Sequence, residues 1–206
     1  FATAGLGALY WAIAAHRYSS HDVGINASLI SAMALLTNLA SLNFTDVLNR
    51  FVPVAGGGSR RLVGASYAIA VTLGTTAAVV FVVGSRRFAP SLAPLLHRPG
   101  MAALFVGAVA LWCVFVLQDA VLVGLHRSST VLVENASFGV VKIALLVALA
   151  AALPRTGIFV SWTVPLPVLV VVVNLLVLQL LPRRDAAHTT AVDARAVRRF
   201  LAADYV

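Results

Sequence analysis

Six predominantly apolar blocks recur along this chain, at 1–15, 23–48, 62–84, 101–125, 130–153 and 158–181. Each block after the first is long enough to cross about 30 Å of hydrocarbon as a helix rising about 1.5 Å per residue. A lone signal peptide does not explain them, because they continue to the far end of the chain. Only 11% of residues are charged and mean hydropathy is +0.96. A soluble domain carries about a quarter charged residues, because its surface faces water.

The links between blocks, at 16–22, 49–61, 85–100, 126–129 and 154–157, are short and collect Arg, Pro, Gly and Ser. Such turns end helices and force neighbours to run antiparallel. The expected fold class is therefore an all-α integral membrane protein, a bundle of six transmembrane helices over 1–182 followed by a linker at 183–206. A closed barrel would need segments of about ten residues with strict alternation, a pattern the blocks lack. The first block would reach only about 22 Å as a helix, and the sequence opens on Phe1 without an initiator Met. The expectation is that sequence preceding it is missing.

Net charge is +8, carried by 14 arginines and one lysine. A basic chain invites a nucleic-acid reading, but these arginines cluster in links, where positive charge orients helices and meets anionic lipid. With the N-terminus cytoplasmic, the cytoplasmic side would hold nine arginines and the other side five. Cys113, the single cysteine, lies inside a block and excludes an intrachain disulfide. In the tail, 193–205 reads as a short amphipathic helix with Arg195, Arg198 and Arg199 on one face, suited either to an anionic lipid surface or to a bridge into further helices.

Ionisable groups inside a span are costly, so each is a functional candidate. Lys142 sits midway along the fifth block among Val140, Val141, Ile143 and Ala144, with Asn135 on nearly the same face. It reads either as an internally paired, packing lysine or as a fixed charge facing a hydrated cavity. Asp119 and Glu134 are expected at similar depth, because reflecting position 119 across the link near Arg127 lands near 136. Such carboxylates can bind and release a proton. An Asp119–Lys142 pair is also within the reach of a long lysine stem.

In the second block Ser28, Ser31, Asn38, Thr45 and Asn49 share one helical face. They read either as helix–helix glue or as the lining of a polar path. Asp46 and Arg50 are spaced to pair across one turn. Pro165 and Pro167 predict a break in the sixth span, of the kind that lines transporter cavities. No metal-ligand spacing, catalytic constellation or cofactor motif is present. Gly56-Gly57-Gly58-Ser59 lacks the lysine of a phosphate loop.

Several segments resemble one family. Tyr10-Trp11, then Ala14-Ala15-His16-Arg17-Tyr18-Ser19 and Val23-Gly24, are similar to the first-link signature of bacterial polysaccharide exporters. So are Leu29-Ile30-Ser31-Ala32, Leu42-Asn43 and Arg50-Phe51-Val52-Pro53. Gln118-Asp119 resembles the fourth-helix segment, and 138–146 around Lys142 the fifth. The family is that of the O-antigen flippase-like exporters of the multidrug/oligosaccharidyl-lipid/polysaccharide superfamily. Many members carry Arg directly after the Ala-Ala pair, where this chain has His16 and then Arg17.

The resemblance implies one lobe of a transporter of 12 to 14 helices in the bacterial cytoplasmic membrane. It implies alternating access that carries a polyprenyl-pyrophosphate-linked glycan outward, beside polymerase or glycosyltransferase machinery. Lys142, Arg50 and Arg17, with Asn38 and Asn135, are then the candidate substrate contacts, and Asp119 and Glu134 the candidate ion-coupling groups. A cation-coupled multidrug extruder of the same fold is the competing function, and a membrane assembly subunit without transport is another.

Overall fold

The apolar blocks fold as helices that bury one another along a common core. The computed structural model describes residues 2–41 and 43–182. Helix α1 spans Ala2–Arg17, α2 Ser20–Ser41, α3 Phe44–Phe51, α4 Ser59–Phe88 and α5 Ala93–Leu96. Then follow α6 at Pro99–Gly124, α7 at Ser128–Leu149, α8 at Gly157–Thr163 and α9 at Leu166–Leu180. No strand occurs among the described residues. Five stretches are long and apolar enough to cross a membrane: Ser20–Ser41, Gly56–Phe88, Pro99–Gly124, Ser128–Leu149 and Gly157–Leu180. This is an all-helical, multi-pass membrane protein. Helix α1, at 16 residues, is shorter and packs along α7.

Helix α6 is the axis of the bundle, touching α2, α3, α4, α7 and α9. Its burial explains why: Phe105, Val109, Cys113, Leu117, Gln118 and Val121 are all fully enclosed. Small residues set the close crossings. Gly74 of α4 lies where a Cβ would stand 2.7 Å from Cys113 Sγ. At Gly124 a Cβ would meet the backbone oxygens of Leu48 and Asn49 at 3.1 and 3.2 Å, which seats α3 against the end of α6. On the outside the apolar side chains stay exposed, with Val83 at 74%, Val133 at 65% and Val168 at 65%. A soluble monomer does not present such a surface, and hydrocarbon does not penalise it.

Several boundaries differ from the sequence expectation. The second span, expected at 23–48, stops at Ser41 and resumes as α3, because Asn43 leaves helical backbone geometry at φ −94° and ψ 22°. An Asn side chain competes with the helix for backbone partners. The third span runs to Phe88 through Arg86 and Arg87, giving α4 30 residues and about 45 Å. The link at 85–100 holds the short α5. The expected break in the sixth span is present between Thr163 and Leu166. Pro165 and Pro167 supply no N–H, so two carbonyls of the preceding turn lose their helical donors. The expected helix at 193–205 with Arg195, Arg198 and Arg199, and the preceding Arg183 and Arg184, lie outside the described residues.

Two long-range clasps hold α8. Asn26 of α2 is fully buried. Its Nδ2 donates to Asp22 O at 2.7 Å and Arg155 O at 2.9 Å, and its Oδ1 accepts from Phe159 N at 3.0 Å. One side chain thereby caps the start of a helix more than a hundred residues away in sequence. Tyr10 of α1 donates to Ile158 O at 2.8 Å and lies 2.8 Å from Ser161 Oγ.

Candidate functional site

Lys142 lies on α7 where that helix meets α1 and α8, and only 8% of it is exposed. Its Nζ stands over three aromatic faces: Trp162 at 4.0 Å, Tyr10 at 5.0 Å and Phe138 at 5.0 Å. Each face offers an ammonium roughly 0.5–2 kcal/mol, which offsets part of the cost of withdrawing it from water. Trp112 and Phe115 of α6 extend the aromatic cluster behind it, at 5.4 Å from Trp162 and 5.5 Å from Phe138. No carboxylate pairs with Lys142 among the described residues. The Asp119–Lys142 pair that the stem length allowed is not formed, because Asp119 is held elsewhere.

About two turns along α7, a second polar centre joins α6, α7 and α9. Glu134, 4% exposed, accepts a hydrogen bond from the Nε2 of the fully buried Gln118. Asp119 Oδ2 accepts from Asn135 Nδ2 at 3.0 Å, and Asn135 also donates to Val131 O at 3.0 Å. Asn174 of α9 donates to Gln118 Oε1 at 2.6 Å and to Val170 O at 2.8 Å. Asp119 and Glu134 belong to adjacent cross-helix pairs, Gln118–Glu134 and Asp119–Asn135, so the two carboxyl groups are neighbours where α6 meets α7. Asp119 Oδ1, Glu134 Oε2 and the hydroxyl of Tyr67, on α4, are buried without a hydrogen-bond partner. The sequence expectation that 119 and 134 share a depth is met, since the antiparallel register joins 118 to 134 and 119 to 135.

The remaining candidates do not converge. Arg17 is exposed at the end of α1, whereas Arg50 is exposed on α3 near the opposite end of the bundle. Asn38 is exposed on α2. With Ser28 and Ser31, also exposed, it forms a polar stripe that faces away from the core and does not bind helices together inside it. Only Asn135 joins a candidate carboxylate. Comparison with protein families, with characterised proteins and with solved structures finds no match to this chain.

The end of the bundle bearing Arg17 carries open clefts. One, of about 500 Å³, runs between α2 and α4 along Ser28, Ser31, Phe81 and Phe88. Another, of about 390 Å³, is bordered by His21, Asp22, Arg98 and Arg155. Neither reaches Lys142 or the carboxyl pair. Gln118 and Asn174 join the buried network without having been expected as site residues. Both are polar residues inside apolar blocks and were visible as such, but their partners lie 16 and 56 positions away.

Proposed function

We propose that this chain is the transmembrane lobe of a transporter, a flippase that moves a lipid-linked oligosaccharide or polysaccharide precursor across the bacterial cytoplasmic membrane by alternating access. The observation that carries the reading is Lys142: a buried ammonium held by aromatic faces and without a carboxylate partner among the described residues. A lysine kept only for packing would gain from a counter-charge, and two carboxyl groups lie about 12 Å along the same helix pair without being used for it. An unneutralised charge suits transient pairing with a phosphate-bearing substrate, which supplies the missing anion.

Other features support the same reading. The sixth span is broken beside the lysine, with Trp162 next to the break. Broken helices near the membrane midplane give transporters their moving parts. The polar stripe of Ser28, Ser31 and Asn38 on the outward face of α2 fits a surface that meets a second lobe across a hydrated path. The resemblance of the Arg17 and Arg50 segments to polysaccharide exporters adds the substrate class, and the proposed N-terminus is cytoplasmic. A multidrug extruder would need a cationic drug in the aromatic box, where the Lys142 ammonium already stands.

The test is replacement of Lys142 by Ala, Arg and Glu in the full chain, with surface glycan as the readout. The expected result is loss of export with Ala and Glu and partial retention with Arg. Wild-type export by all three at normal protein level would overturn the proposal.

A further inference from the structure

We infer that the Asp119–Glu134 pair is a one-proton site and not a metal-ion site, which names the coupling ion of the transport proposed above and rests on that reading for its physiological role. Amide side chains of Gln118 and Asn135 flank the pair. An Asn or Gln side chain presents either an oxygen or an NH2 group, and its partners decide which. Asn174 Nδ2 lies 2.8 Å from Val170 O, and Asn135 Nδ2 lies 3.0 Å from Val131 O. A backbone carbonyl only accepts, so both amides must point nitrogen toward it.

The orientation then propagates. The same Asn174 nitrogen meets Gln118 Oε1 at 2.6 Å, so the far side of Gln118 presents its NH2 to Glu134. The Asn135 nitrogen likewise meets Asp119 Oδ2. Each carboxyl group therefore receives an N–H, from Gln118 and from Asn135. Sodium, magnesium and calcium need several oxygen ligands. Here a metal ion would meet N–H dipoles of its own sign.

What the pair has free is suited to a proton. One oxygen on each carboxyl, Asp119 Oδ1 and Glu134 Oε2, is buried and unpartnered, and Glu134 is more than nine-tenths enclosed. Two neighbouring buried carboxylates repel each other when both are charged, and one proton on the pair removes that repulsion. In loading, a hydronium ion passes a proton to one carboxylate oxygen and leaves as water, and the net charge of the pair falls from two negatives to one. In release, the same O–H bond breaks and both negatives return.

The surroundings contain few competing charges. From α4 comes the hydroxyl of Tyr67, buried and without a hydrogen-bond partner. Helix α3 carries Asp46 and Arg50, both exposed, and the link bears exposed His126 and Arg127. Lys142 lies about two turns along α7 on its aromatic faces, and α9 brings only the neutral Asn174.

The experiment is infrared difference spectroscopy of the full-length protein in liposomes, following the protonated-carboxyl band against pH, in sodium chloride and again in choline chloride. The expected result is one titrating band with the same pH profile in both salts, absent from the Asp119→Asn/Glu134→Gln double variant. If the double variant does not fold, the near-isosteric Glu134→Gln alone is expected to change the band's pH profile. Removal of the band by sodium at fixed pH would overturn the inference in favour of a metal-ion site. A band unchanged in the variants would overturn it by placing the proton elsewhere. Surface glycan is not part of this readout, so loss of the transport reading and loss of the proton site are told apart.

Discussion

At the scale of single residues, the molecule spends its buried polar groups unevenly. Asn26 satisfies all its partners and ties α2 to the start of α8, whereas Lys142 has only aromatic faces. The two should respond differently to mutation. Asn26→Ala leaves the Phe159 N–H and the Arg155 carbonyl without their partner. A loss of about 2 kcal/mol is expected, since each buried group left unpaired costs roughly 1–3 kcal/mol. It is measured as a lowered thermal midpoint in detergent. Asn38→Ala, on an exposed face of α2, is expected to leave that midpoint unchanged. Equal losses for both would contradict the clasp. Asn26 was hard to find in the sequence for a plain reason. It sits off the polar stripe of Ser28 and Ser31, and its partners near 155 and 159 become neighbours only after folding.

At the scale of elements, periodicity identified which residues share a face but not which way the face turns. The stripe on α2 follows helical spacing as expected, yet its exposed members point away from the core. The span lengths were legible because hydropathy counts residues. The break at Asn43 was not, because the flanking residues remain apolar enough to continue the pattern. Glycines separate local from tertiary causes in the same way. Gly124→Ala would drive a methyl against backbone oxygens of Leu48 and Asn49, which have no side chain to rotate aside. The expected effect is a loss of about 1–3 kcal/mol, as for overpacking. Gly64→Ala, in α4 with nothing near its Cβ position, is expected to gain up to about 1 kcal/mol from helix propensity. Thermal unfolding of the two variants side by side reads both signs, and a stabilising Gly124→Ala would refute the close seating of α3 on α6.

At the scale of the whole molecule, orientation is the open quantity that the arginines bias without deciding. The described arginines divide nearly evenly: Arg50, Arg60, Arg61 and Arg127 toward one end, and Arg17, Arg86, Arg87, Arg98 and Arg155 toward the other. The sequence's majority for a cytoplasmic N-terminus therefore rests on the arginines at 183–199. The chain offers a clean assay, because Cys113 is buried against Thr37. A membrane-impermeant maleimide on intact cells is expected to label Ser91→Cys, and to label Gly57→Cys only after permeabilisation. The reverse pattern would invert the proposed topology.

The aromatic box around Lys142 also has an optical consequence. The ammonium rests 4.0 Å above the indole of Trp162, so the emission of that tryptophan depends on where the charge stands. An anion that drew the lysine off the ring would alter the light without any added label. With Trp11 and Trp112 changed to phenylalanine, the remaining indole would serve as the protein's own gauge of occupancy.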